Sequence, residues 1–349
     1  MKKNVSIRDV ADKSGVSIAT VSRILNKKPG VSQSAKEKVL TVCDTLGYRL
    51  NPGIQDLARK GRNNATKNIV FVMSGREFSD PAHSGALDGI AKGIDEFDYN
   101  LSLARLTGEE KSIYDLPSLL REDRFDGMII TGKISKDIIC ILKKLGKPYV
   151  VLGMYSEEVT GESNCVRLNV STTINKLVDA IKKEGREKIA YFAEHSKSFY
   201  EMACFEAFRL KMQSNGLEFD ERIIYQGQDV LAGALPLLTP VFADSKIPFD
   251  SIICLDFRCA QEISNLILAH YGLKNKIGVL PATILSLPNY RLTVPAIYCK
   301  GIADEIAYQG IKTLIMMLCG KGPSQNLKLE LTPDLLNCNG KFIKELGTL

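Results

Sequence analysis

The chain has 349 residues, 45% of them apolar and 25% charged, with a net charge of +6. This is ordinary composition for a folded protein, with length for two or three domains at about 150 residues each and for cores that need no disulfide staples. No apolar run approaches the ~18 residues of a membrane-spanning helix, and the basic start Met1-Lys2-Lys3 never passes into a secretory signal, so a cytoplasmic protein is expected. The nine cysteines are an odd number, scattered, with no C-x-x-C pair, and several sit in apolar runs such as Ser251–Leu255. They read as reduced, buried thiols. Cys254, Cys259 and His270 come nearest to a ligand cluster but lack the spacing of a zinc site, so neither metal nor cofactor is expected.

The charge is unevenly placed. Residues 1–67 hold 14 basic and 5 acidic side chains, a net of +9, and the rest of the chain nets −3. A basic head on a near-neutral body points to a polyanion-binding module. The head also carries the apolar pattern of a folded domain. Ser6 with Asp9 opens a helix with Ile7, Val10 and Ala11 on one face, and Ser14-Gly15 closes it. Ser17 caps a second helix that buries Val21, Ile24 and Leu25, with Val16 packing just before it. After the break at Lys28-Pro29-Gly30, Ser32 opens a third helix with Ala35, Val39, Val42 and Leu46 inside, ended by Gly47. Three short helices, the first two joined by a glycine turn, make a helix-turn-helix over residues 1–48.

Three stretches carry a family resemblance: Ser6-Ile7-Arg8-Asp9-Val10-Ala11, Gly15 through Asn26, and Leu46-Gly47-Tyr48-Arg49. They resemble the DNA-binding domain of the lac-repressor/galactose-repressor family. The resemblance implies that Ile18, Ala19 and Arg23 read bases, while Ser6, Ser17, Thr20, Ser22, Asn26 and Ser32 hold phosphates. The chemistry agrees: hydroxyls and helix N-termini suit phosphate oxygens, and an arginine fork suits guanine O6 and N7. Ile18 and Ala19 offer only apolar contact, for example to a thymine methyl. Residues 49–67 fall where the family has a hinge helix and linker, and Leu57 matches the position that wedges into the minor groove. Leu50 stands where the family usually has proline, and Pro52-Gly53 makes a weak helix start.

From residue 68 to 349 short apolar runs alternate with helical stretches. Strands are expected near 69–73, 101–104, 127–130 and 148–152, then near 165–170, 189–192, 223–225, 251–255 and 277–280. Helices are expected near 84–97, 112–122, 135–145, 172–184, 200–214, 229–242 and 258–271. Two blocks of such alternation mean two doubly wound parallel-sheet lobes. The family body is a periplasmic-binding-protein-like pair of lobes, matched at Asp88-Gly89-Ile90, Phe125 to Ile130 and Gly185 to Ala190. The resemblance implies lobe 1 at about 68–166 and 296–322, and lobe 2 at about 167–295 and 323–349. It also implies an effector cleft at Ser79, Asp80, His83, Glu201 and Asp256. There the sequence departs from the family: Ala82 and His83 replace two aromatics, Glu201 replaces an arginine, and Asp256-Phe257 replaces an Asn-Asp pair.

No dinucleotide, phosphate-loop, zinc-protease or nucleophile-elbow motif is present, so no enzyme is expected. The expectation is a sequence-specific regulator, a repressor binding a pseudopalindromic operator on double-stranded DNA as a homodimer. Its control would come from a small molecule, a carbohydrate or relative. The alternatives are control by a protein partner, lost effector sensing, or a solute-binding protein.

Overall fold

The computed structural model describes residues 7–25, 30–46, 66–78, 81–161, 163–193, 198–227, 233–244, 246–255, 257–272, 278–284, 292–323 and 326–336. The head is three helices, α1 (Ile7–Ser14), α2 (Ile18–Leu25) and α3 (Gln33–Leu46). Each turn has a local cause. At the end of α1 the Ser14 hydroxyl donates back to the Val10 carbonyl at 2.6 Å. Gly15 then takes φ +67°, a left-handed turn that a side chain would strain. Ser17 caps α2 by accepting from Thr20 N at 3.1 Å, and Ser32 caps α3 by accepting from Ala35 N at 3.3 Å. Val10, Ala11, Val21, Ile24, Leu25 and Val39 form the core, as the spacing requires. The residue sealed beside Val39 on α3 is Cys43, one turn on, while Ala35, Val42 and Leu46 are only partly buried.

Among the described residues the body contains twelve strands. In chain order they are β1 (Asn68–Ser74), β2 (Asn100–Leu106), β3 (Gly127–Gly132), β4 (Tyr149–Leu152), β5 (Asn164–Leu168), β6 (Ile189–Ala193), β7 (Ile224–Gln226), β8 (Ser251–Cys254), β9 (Leu280–Thr283), β10 (Ile297–Cys299), β11 (Lys328–Leu331) and β12 (Leu335–Leu336). Between them run α4 (Pro81–Phe97), α5 (Ser118–Arg121), α6 (Lys136–Lys143), α7 (Glu157–Thr160), α8 (Val170–Lys183), α9 (Phe199–Ser214), α10 (Leu235–Ala243), α11 (Phe257–Tyr271) and α12 (Ala303–Leu318). Two six-stranded sheets result, ordered β11-β5-β4-β3-β1-β2 and β12-β10-β9-β8-β6-β7. β12 pairs antiparallel with β10, and β1 with β2 and β3, β4 with β5, β5 with β11, β6 with β7 and β8, β8 with β9 and β9 with β10 are parallel. The near-continuous apolar runs of β1 and β6 follow from parallel strands buried on both faces.

Four expectations need correction. Residues 112–122 are not one helix. A 3-10 turn at Ile113–Asp115 is followed by the separate α5, because Pro117 pushes Leu116 to ψ 152°. The strand expected at 277–280 lies at 280–283, where it pairs with all of β8. Pro281 is tolerated there because β10 pairs only with Ala282 and Thr283. The helix expected near 229–242 is described from Leu235. The lobe boundaries also shift. β10 belongs to the second sheet and β11 to the first, so the chain changes sheet after Leu168, after Cys299 and after Leu331. β10, β11 and β12 are too short to be read from apolar alternation alone.

By contact the chain divides into one unit of residues 1–76 and 98–148 and a second of 77–97 and 149–349. In the second unit, α4 packs against α12 through Gly85, Gly89 and Gly93, one per turn. A methyl at Gly93 would sit 2.6 Å from Ile311, and one at Gly89 would land on the Asp304 carbonyl. Only glycine lets these helices approach so closely.

Candidate nucleic-acid interface

The head builds a reading surface on the exposed side of α2, from its first turn to its last. Val21, Ile24 and Leu25 turn into the core, so helical geometry turns Ala19 and Arg23 outward, and Ile18 is left open at the first position of the helix. All three are exposed, and Ile18 keeps 43% of its surface open to water, a large fraction for an isoleucine in a folded domain. Hydroxyls frame this patch. Ser17 is exposed, Thr20 is half-buried with its Oγ1 2.8 Å from Ser17 Oγ, and Ser22 is half-buried one position before Arg23. Ser32 is exposed at the start of α3. The reading residues and four of the six phosphate candidates are therefore all on α2 or at a helix start. Ser6, Asn26 and Leu57 lie outside the described residues.

The point where the linker joins the body is fixed by one carboxylate. Asp126 accepts from Thr66 N at 2.8 Å, Thr66 Oγ1 at 2.9 Å and Lys67 N at 2.8 Å. Lys67 sits at φ +53° and pairs with Asp98 at 3.0 Å. The sequence showed Phe125-Asp126-Gly127 as a landmark. It gave no sign that Asp126 holds the end of the linker, because that contact spans sixty residues.

Of the candidate effector residues, Ser79, Asp80, Asp256 and the side chain of His83 lie outside the described residues. Glu201 is described. It stands in the first turn of α9, whose N-cap Ser198 accepts from Glu201 N at 3.1 Å. This is the carboxyl end of β6, and β6 has β7 on one side and β8 on the other. Such a switch point is where doubly wound sheets bind ligands. Beneath it Tyr191 and Cys204 are buried and Tyr200 is half-buried with its hydroxyl shielded from water, and burial pushes both phenols and the thiol well above their usual pKa ranges. The three are neutral at ordinary pH. Cys254 and Cys259 are buried in the second sheet's core, and His270 Nδ1 donates to the Phe242 carbonyl at 2.7 Å, so they serve packing and helix anchoring. No group of three or more candidate metal ligands occurs among the described residues, and none of their helices is long and apolar enough to cross a membrane.

A helix-turn-helix with an open reading face, followed by two doubly wound lobes, defines a DNA-binding regulator by class. Residues 6–51 match the model of the bacterial regulatory proteins, lacI family. The catabolite control protein A of Priestia megaterium is 29% identical over 190 residues, 54% of each chain. The chain thus spans about half the length of that relative. The HTH-type transcriptional repressor PurR of Photobacterium profundum is 25% identical over 288 residues, 82% of this chain and 84% of that protein. The fold is that of the lac repressor dimer bound to operator and the anti-inducer ONPF, with a TM-score of 0.64 and 18% identity over 99% of this chain and all of that one. Over residues 6–51 the chain is similar to the lacI family of bacterial regulatory proteins.

Proposed function

We infer that this chain is a sequence-specific transcriptional repressor that acts from the cytoplasm as a homodimer on a pseudopalindromic operator. The observation that carries this is the α2 surface, where Ile18, Ala19 and Arg23 are exposed together beside the capping hydroxyl of Ser17. A single helix-turn-helix reads too few base pairs to find one genomic site, and a two-fold pair of heads supplies the rest. Leu57 is the minor-groove wedge, and the hinge around it forms a helix only with DNA and the partner hinge supplying contacts. A small polar metabolite, a carbohydrate or relative, controls the dimer from the carboxyl ends of the strands. In that role Glu201 accepts from ligand hydroxyls. The operator-bound lac repressor with its anti-inducer supports the reading by likeness of fold. No step of chemistry is assigned to the chain.

The test is selection from a random-sequence DNA pool with the full-length protein. The result expected is an inverted repeat whose half-sites are about one helical turn, or a multiple of it, apart. Bound sequences with no two-fold symmetry would contradict the dimeric reading. On the selected site, Leu57→Ala should lose affinity and operator bending together, read by circular-permutation gel shift. An unchanged bend angle would make Leu57 an ordinary linker residue.

A further inference from the structure

The head's apolar core is not made by the head alone. Tyr114, on the 3-10 turn after β2, is 6% exposed because it packs into the cluster of Val10, Val21, Leu25 and Cys43, with Ile113 beside it. Its hydroxyl reaches the Cys43 thiol, which is fully buried. A second tie is polar. Arg121 on α5 donates through Nη1 to the Leu25 carbonyl at 3.0 Å. That carbonyl is one of the unpaired acceptors at the C-terminus of α2, where a cation is favoured twice over, by hydrogen bonding and by the helix dipole. The same guanidinium donates through Nε to the Leu116 carbonyl at 3.1 Å, so its position is set by its own loop. A third tie joins Lys144 and Asp44 across 3.7 Å at the surface.

The loop that presents these groups is itself rigid. The Asp115 carboxylate accepts from Lys111 N, Ser112 N and Ser112 Oγ. The buried Glu110 carboxylate accepts from Thr107 N, Thr107 Oγ1 and Gly108 N. A loop tied down by two carboxylates, with a tyrosine and an arginine projecting into the head, has the form of a socket. It also explains why the helix expected over 112–122 is absent: a continuous helix would not present both groups from a tight turn.

We propose that residues 110–121 are a docking platform for the chain's own helix-turn-helix, and that this clasp stays closed when the head reads DNA. Docking engages the C-terminal end of α2 and the end of α3, whereas Ile18, Ala19 and Arg23 remain exposed to solvent. The clasp therefore orients the recognition helix without covering it. Orientation fixed in advance is orientation that DNA binding need not supply. Movement of the platform would be passed to α2 directly, in parallel with the hinge. The consequence for DNA rests on the function inferred above, but the existence of the clasp does not.

Cys43 reports on the clasp. The full-length protein without DNA is treated with N-ethylmaleimide, and the label on each cysteine is followed by peptide mass spectrometry. Tyr114→Ala should speed labelling of Cys43 by about tenfold or more, because local opening no longer has to break a buried aromatic contact. Cys165 and Cys204, buried elsewhere, should keep their wild-type rates. Tyr114→Phe, which retains the ring, should stay near wild type. If Tyr114→Ala speeds all buried cysteines together, Arg121→Ala decides, since it removes the Leu25 tie and, within the platform, only the Leu116 bond, leaving the Asp115 and Glu110 carboxylate ties in place. Selective exposure of Cys43 then supports the clasp, and no selective exposure overturns it. Unchanged Cys43 labelling in Tyr114→Ala would overturn it outright. With the selected operator added to wild-type protein, Cys43 should remain protected, and faster labelling on DNA would show that the head undocks to bind.

Discussion

The head and the ligand-facing end of the second sheet are opposite cases in one chain. In the head, the described reading residues sit on a helix whose cap, Ser17, lies within one turn of its start. Ser17 caps the helix whose turns bury Val21 and Leu25, and the same turns expose Ile18, Ala19 and Arg23. At the end of β6, Ser198 caps Glu201 locally, but the switch point it stands at is made by β7 and β8, which are far apart in sequence, and its charge faces Tyr191 of the preceding strand. Local determinants make a site readable from sequence. A site assembled by topology has to be seen.

The largest effect expected from this contrast is electrostatic. The head carries nearly all of the chain's excess positive charge, so DNA affinity should be strongly salt-dependent. With roughly six to ten phosphate contacts per dimer, affinity should fall about 10³–10⁵-fold between 50 and 200 mM salt. Fluorescence anisotropy with labelled operator measures this, and a nearly flat plot would remove the head from the binding account.

The body should be most sensitive where packing is tightest. Gly89→Ala places a methyl on the Asp304 carbonyl between α4 and α12, so it should cost about 3 kcal/mol or more. Urea denaturation reads the loss. A stability within experimental error of wild type would mean that these helices are not held at this distance in solution.

A smaller effect belongs to the head's own scaffold. Ser17→Ala removes the acceptor for Thr20 N and should cost about 1 kcal/mol of head stability. Amide hydrogen exchange in α2 is the direct measure. Exchange as slow as in wild type would show that another group caps the helix.

What the sequence disclosed follows the same division. The three helices of the head were legible because Ser17, Gly15 and Ser32 each act on neighbouring backbone. The two doubly wound lobes were legible because buried parallel strands such as β1 are long apolar runs. The exchange of β10 and β11 between sheets was not, since β10 has three residues and β11 alternates only weakly. Tyr114 was invisible as a head contact because nothing near it in sequence marks a partner seventy residues upstream. Asp126 was hidden for the same reason.

The central claim is that α2 reads sequence through Arg23, the only strong hydrogen-bonding side chain among its three exposed reading residues. The most direct measurement compares wild type and Arg23→Ala on the selected operator and on random DNA of equal length at one salt concentration. Arg23→Ala should lose about 1–3 kcal/mol on the operator and much less on random DNA. Equal losses on both would mean that Arg23 contacts only phosphate and that specificity resides elsewhere.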